Sequence, residues 1–256
     1  MKNIFDLARK KLRKQINYKP LLVISLHKSG THLIRKIIED IGFEKINLRE
    51  LTPDSISKIK SNQYYGSHHV PKYNAIYNKI ENNEISVIFH YRDPRDIVVS
   101  RFNWHHPSNN IVTNTTREFL KKIYKRFDDD QEFLRFIISG EQHGPIEPNF
   151  IDQFKLSRGL LFHPNVLKTN FESLIGSKGG GSDELQIRMI KSILNYLSIS
   201  DDAEKIAKQA FSNTAKTFHK GKIGAYKTTF SKETLQYFND LHHDILQQYG
   251  YEISNP

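Results

Sequence analysis

The chain has no cysteine in its 256 residues. That absence excludes disulfides, thiolate metal centres and cysteine nucleophiles, and it suits a reducing compartment, so a cytoplasmic location is expected. No apolar run approaches the ~18 residues that a membrane span requires, and no signal-peptide core is present. Acidic residues are in deficit, 28 against 38 basic ones, for a formal charge of +10. Such a surplus attracts a polyanionic ligand, a nucleic acid or an anionic membrane surface. Internal repeats and convincing linkers are also absent, so residues 1–256 read as a single domain with enough chain for a substantial core.

What is present begins with a basic amphipathic pattern over residues 1–19. Met1, Ile4, Phe5, Ala8, Leu12 and Ile16 share one helical face, and lysines and arginines cover the remainder. Packing on its own domain is the expected role; weak contact with a membrane surface is the alternative.

The stretch from Leu21 organises the rest of the chain. An apolar run of strand length, 21–26, turns through Lys28-Ser29-Gly30-Thr31 into a helix over 31–41 that stops at Gly42. Strand, tight polar turn and helix N-terminus together make an anion site, because the first N–H groups of a helix have no internal partner and the helix dipole favours negative charge. Lys28 adds a cation and Thr31 a hydroxyl. The loop is not a Walker A motif, since its lysine precedes Ser-Gly-Thr and no glycine lies upstream.

Further strands are predicted at 64–71, closed by Pro71, at 85–91 and at 165–170. Helices are predicted near 53–60, 72–83, 95–104, 115–139, 149–161, 183–197, 202–210 and 231–248. The glycine-rich stretch 176–182 reads as flexible. Strands alternating with helices predict an α/β fold, a three-layer P-loop-like arrangement with a central, mostly parallel sheet of about four to five strands flanked by helices. Ligands of such sheets bind at the carboxyl ends of the strands. Lys28 to Thr31 comes after the first strand, His68 and His69 end the second, and Arg92 comes after the third. Twelve histidines invite a metal reading, but the pairs His68/His69, His105/His106 and His242/His243 are adjacent in sequence and diverge on a strand or a helix, so no metal is expected.

Taken in order, these segments resemble the sulfotransferases that use 3′-phosphoadenosine 5′-phosphosulfate (PAPS), over almost the whole chain. Lys28-Ser29-Gly30-Thr31 is similar to that family's 5′-phosphosulfate loop. Tyr91-Arg92-Asp93-Pro94-Arg95-Asp96, with Ser100 eight positions after Arg92, resembles its 3′-phosphate segment. His69-Val70-Pro71 resembles the segment that carries its catalytic base, and Lys220-Gly221-Lys222-Ile223-Gly224 its late basic loop. Asn170-Phe171-Glu172-Ser173-Leu174 matches a Tyr-Glu-Asp-Leu segment.

The resemblance implies PAPS as sulfuryl donor and an acceptor hydroxyl or amine, on a small molecule, lipid or glycan. It implies His69 as general base and Lys28 as the cation at the leaving phosphate. Cofactor contacts are implied at Lys28, Ser29, Gly30, Thr31, His32, Arg92, Ser100, Phe171, His219, Lys220 and Gly221. Departures from the family pattern are His27 for a proline, Leu33 for an adenine-stacking tryptophan, Ser67 for a lysine, His219 for an arginine, and Ala225-Tyr226 for Asp-Trp.

Two other readings compete. A nucleotide phosphotransferase should show a Walker A glycine and a magnesium carboxylate after a strand, and neither is evident. A basic protein that binds nucleic acid or a membrane surface would account for the charge, but no nucleic-acid motif supports it. Trp104, His105, His106, Phe150, Phe154 and Phe162 are candidates for an acceptor wall or, one by one, for core.

Overall fold

The computed structural model describes residues 19–72, 74–106, 114–141, 150–210 and 221–255. The helix expected over 1–19, and His219 and Lys220, lie outside or almost wholly outside these residues.

The described residues divide into two compact units, one from those within Met1–Tyr91 and Leu156–His219, the other from those within Arg92–Lys155 and Lys220–Pro256. The first unit holds the sheet. Its elements are β1 (Leu21–Ser25), α1 (Thr31–Ile41), β2 (Glu44–Ile46), α2 (Pro53–Ile56), β3 (Gln63–Ser67), α3 (Asn74–Glu81) and β4 (Ser86–Tyr91). The second unit opens with α4 (Pro94–His105), α5 (Asn114–Tyr124) and α6 (Asp130–Ser139); α7 (Phe150–Leu156) leads back to the first. There the chain continues through α8 (Arg158–Phe162), β5 (Val166–Asn170), α9 (Phe171–Leu174), α10 (Asp183–Tyr196) and α11 (Ala203–Ala210). The second unit closes with α12 (Tyr226–Thr229) and α13 (Lys232–Gln248).

The five strands are all parallel, in the order β2-β3-β1-β4-β5, and helices flank them. β1 is apolar from Leu21 to Ile24 because both of its faces are covered. Leu21 and Val23 meet the α1, α10 and α11 layer through Ile34, Ile38, Ile190, Ile193 and Ile206, while Leu22 and Ile24 point to the opposite face and are equally buried. The chain leaving β1 runs to one edge of the sheet and the chain leaving β4 to the other. Their carboxyl ends therefore flank the switch point, where an open α/β sheet leaves a crevice.

Four details differ from the sequence expectation. β2 is a three-residue, largely exposed edge strand, too short and polar to show a period. β3 stops at Ser67, so His68 and His69 lie in a bend beyond it. The helix expected over 115–139 is two, because the Asp129 side chain accepts from the Glu132 N–H at 2.8 Å and starts a new helix there. The glycine-rich stretch is a compact turn. Gly181 N bonds Gly176 O at 2.8 Å, and Ser177 donates to the Asp183 carboxylate through its N–H and its hydroxyl, at 2.8 and 2.7 Å. A Cβ on Gly179 would lie 2.0 Å from Cγ1 of Ile175, so glycine there serves close packing.

The second unit is held by rings. Phe133 meets Phe102, Tyr124 and Phe127 at centroid distances of 5.9, 5.3 and 5.2 Å. α13 bends at His242, whose Nε2 donates to Ile138 O at 2.8 Å. Phe154, one of the aromatic candidates for the acceptor wall, is buried against Tyr249 as core, and Phe162 in the first unit is 63% exposed.

Candidate functional site

Residues 26–30 join β1 to α1 in a turn that closes on one carbonyl. Leu26 O accepts the Ser29 N–H at 3.2 Å and the Ser29 hydroxyl at 2.7 Å, so the side chain of Ser29 is committed to shaping the loop. Lys28 (φ 64°) and Gly30 (φ 91°) are both left-handed. Thr31 shares a hydrogen bond between hydroxyls with Ser25 at 3.0 Å. Successive N–H groups in turns of this kind form a concavity that favours an anion. The N–H groups of Thr31 and His32 belong to the first turn of α1, which has no partner within the helix; Leu33 N already reaches back to Gly30 O at 2.9 Å.

The surrounding charge agrees with the backbone. Partial burial pushes the His32 imidazole below its ordinary value, and the positive charges of Arg35, Lys45 and Lys28 push it further. Burial first and then the neighbouring positive charges both favour the neutral imidazole. The positive field of those charges is complementary to a phosphate or sulfate.

Two side chains from elsewhere in the sheet brace this loop. Phe171, a cofactor candidate by its place in the sequence, packs its ring under Gly30, where a Cβ would come within 2.4 Å of Cδ2. At 2% exposure it supports the loop from the core side. His90 was not singled out by the sequence. Fully buried on β4, it reaches Ser29 O through Nε2 at 2.9 Å and the Thr169 hydroxyl on β5 through Nδ1 at 3.0 Å. A histidine that continues the apolar run Val87 to Phe89 is the one signal that could have found it, because a buried imidazole must find partners.

Beyond β3, Ser67 Oγ accepts the His69 N–H at 2.9 Å and fixes the bend. The alternation of a strand does not apply there, so His68 and His69 are not forced to opposite faces. The His68 ring stacks on His27 at 4.2 Å, and its Nδ1 donates to Ser25 O at 2.9 Å. His69 is exposed, and its ring meets the edge of His27 at 6.4 Å. The loop after β1 and the bend after β3 thus bring Lys28, His27, His68 and His69 to one end of the sheet.

The second unit carries the other candidates. Arg92 is 5% exposed; its Nη2 donates to Lys222 O at 3.0 Å and lies 3.5 Å from the Asp96 carboxylate. Asp96 also accepts the N–H groups of Gly224 at 2.8 Å and Tyr226 at 3.1 Å. Burial pushes the Asp96 carboxyl above its ordinary value, against the opposing pull of Arg92. The start of α4 and the loop at 222–226, far apart in sequence, are therefore joined, with half-buried Gly221 beside the joint. Ser100 is half-buried further along α4. Arg95 is a structural clamp: it pairs with Asp93 at 2.7 Å, donates to Glu252 O at 3.0 Å and lies over the Tyr226 ring at 4.1 Å.

No protein-family model matches this chain, and no curated protein matches it in sequence. Solved structures do. Mouse sulfotransferase SULT7A1 complexed with PAP is similar over 93% of this chain and 88% of its own, with a TM-score of 0.61 at 20% identity. The chain has the sulfotransferase fold. Retinol dehydratase with retinol and PAP is similar at a TM-score of 0.51 and 15% identity, over 95% of this chain and 85% of its own. Its complex with androsterone and PAP is similar at 0.52 and 13%, over 98% and 87%. Within this sulfotransferase fold, the described candidates fall into two groups by unit: Lys28 to His32, His69 and Phe171 in the first, Arg92, Ser100 and Gly221 in the second. Among the described residues, no group of three or more histidine, cysteine or acidic side chains is arranged to hold a metal ion.

Proposed function

We propose that this protein is a sulfotransferase that moves the sulfuryl group of PAPS to an acceptor hydroxyl or amine on a small molecule, lipid or glycan. The observation that carries the reading is the loop between β1 and α1: two left-handed residues, a lysine and a helix N-terminus on the sulfotransferase fold. Its donor set suits a doubly charged group. Lys28 and the N–H groups of Gly30, Thr31 and His32 would hold the 5′ end, and Ser29 would shape the loop that presents them. Arg92 and Ser100 would hold the 3′-phosphate, Arg92 by a charged fork; the family resemblance adds His219, Lys220 and Gly221 as cofactor contacts. PAPS supplies an activated sulfuryl group. The remaining chemistry falls to the protein: His69 takes the proton of the attacking hydroxyl, since imidazole titrates near neutral pH, and Lys28 offsets charge on the departing phosphate oxygen.

A ligand that binds only the folded state raises the melting temperature. 3′-Phosphoadenosine 5′-phosphate (PAP) should raise it clearly more than AMP or ATP. Equal shifts with AMP would remove the case for a 3′-phosphate site, and a larger shift with ATP and magnesium would favour a phosphotransferase.

A second expectation concerns His32. Burial depresses its imidazole first, and the positive charges of Arg35, Lys45 and Lys28 add to that; an anion at the start of α1 opposes the second effect, so PAP should raise the His32 titration midpoint. The complex then takes up a proton over the interval between the free and bound midpoints, and affinity strengthens as pH falls through it. Histidine resonances observed by NMR with and without PAP measure this, and an unmoved His32 would place the anion elsewhere.

A further inference from the structure

We propose that His90, held by Thr169, aims the Ser29–Gly30 peptide at the bound 5′-phosphate, which makes it a positioning residue for the transfer. The inference rests on the functional reading above. A carbonyl oxygen only accepts, so the contact between His90 Nε2 and Ser29 O, 2.9 Å, requires the proton on Nε2. Nδ1 of the neutral ring is then an acceptor, and the Thr169 hydroxyl at 3.0 Å donates to it. Donation thus runs from β5 through β4 to the loop.

The consequence lies on the far side of the peptide. The bond between Ser29 and Gly30 is trans, so its C=O and N–H point in opposite directions. With the carbonyl drawn down to His90, the Gly30 N–H faces away from β4, into the concavity of the loop. Rotating this peptide by half a turn would present a carbonyl oxygen to the anion and turn the N–H away. Glycine at position 30 makes that rotation inexpensive, because glycine tolerates either sign of φ. The alternative therefore needs an opposing clamp. His90 is 0% exposed, so the hydrogen bond to Ser29 O is sheltered from competing solvent.

The test compares ligands with and without the 5′-phosphate. Calorimetric titration of the full-length protein with PAP and with adenosine 3′-phosphate measures both. His90→Phe keeps a large ring and loses the donor; it should weaken PAP about tenfold or more, the usual effect of a lost charged-site contact, and leave adenosine 3′-phosphate unchanged. His90→Gln retains a donor and an acceptor and should restore most of the PAP affinity. Thr169→Val, nearly isosteric, should give a smaller loss in the same direction. Equal loss for the two ligands would mean that His90 only stabilises the fold and would overturn the inference, as would unaltered PAP affinity in a folded His90→Phe. If His90→Phe does not fold, an unchanged ratio of the two affinities in Thr169→Val overturns it. No PAP binding by the wild-type protein would overturn the functional reading and this inference together; wild-type binding with unchanged ratios in the variants would overturn this inference alone.

Discussion

His69→Ala is expected to lower turnover by about 10²–10⁴, the usual contribution of a positioned general base, and to leave PAP affinity nearly intact. The two effects separate because the ligand's anions are assigned to Lys28 to His32 and to Arg92 and Ser100, and His69 to the proton of the acceptor. Turnover is measured with labelled PAPS over a panel of hydroxyl acceptors, and affinity by titration. His68→Ala is the control. It removes the 2.9 Å bond to Ser25 O and the stack on His27, so it should lower the melting temperature more than His69→Ala does. Because both histidines lie in the bend after Ser67, strand alternation does not assign their roles, and the pair of variants decides between them. Near-normal turnover in His69→Ala with loss in His68→Ala would move the base to His68. Near-normal turnover in both would put the base outside this bend.

Gly30→Ala has the largest expected effect on stability. The residue sits at φ 91°, ψ 36°, and an added Cβ would come within 2.4 Å of one ring carbon of Phe171 and 2.9 Å of another. A left-handed backbone costs a non-glycine residue about 1–2 kcal/mol. Overpacking a buried contact adds about 1–3 kcal/mol. The sum, ~2–5 kcal/mol, is a large part of the stability of an ordinary domain. In a chain of this size it corresponds to a fall in melting temperature of roughly 5–15 °C. The double variant Gly30→Ala with Phe171→Ala separates the parts. Alanine at 171 opens space for the new Cβ, so the cost of adding it should be smaller there than in the parent, while the backbone cost persists. An unchanged melting temperature in Gly30→Ala would mean that the loop does not adopt this conformation. Lys28 offers the opposite case, since it holds φ 64° with a side chain present. Such strain in a loop that ends at a helix N-terminus is what a positioned cation costs.

Much of the first unit was legible because its signals are local. An uninterrupted apolar run marks β1, and a stripe of Leu33, Ile34, Ile37, Ile38 and Ile41 marks α1, whose apolar face is buried as the period requires. Thr52-Pro53-Asp54 reads as a helix start, and the Thr52 hydroxyl accepts the Ser55 N–H at 3.1 Å. Two errors share a cause. The run 64–71 looked like one strand because Pro71 is its only strong breaker, yet Ser67 turns the chain four residues earlier through a side-chain hydrogen bond that composition does not reveal. The glycines of 176–182 read as flexible by composition alone. Their use against Ile175 depends on a neighbour brought close only by packing.

The candidate site divides in the same way. Order along the chain put Lys28 to Thr31, His69 and Arg92 at or just beyond the ends of predicted strands, where such sheets bind; Ser100, and the choice of His69 over His68, came from the family resemblance. The partners of these residues were not readable. Arg92 meets Lys222 and Asp96, and Asp96 meets Gly224 and Tyr226; all but the Arg92–Asp96 pair span more than a hundred residues. His90 looked like one more member of a buried strand. Its contacts are with Ser29 and Thr169, and both are contributed by segments that become neighbours only when β1, β4 and β5 pair in parallel register. By itself the sequence determined the alternation of strands and helices, the strand–turn–helix of the first loop and the positive charge around it, because propensity, period and charge reside in the residues. Tertiary structure alone decided which way the Ser29–Gly30 peptide points and which residues brace it, because a hydrogen bond between distant strands has no energy until the sheet has formed.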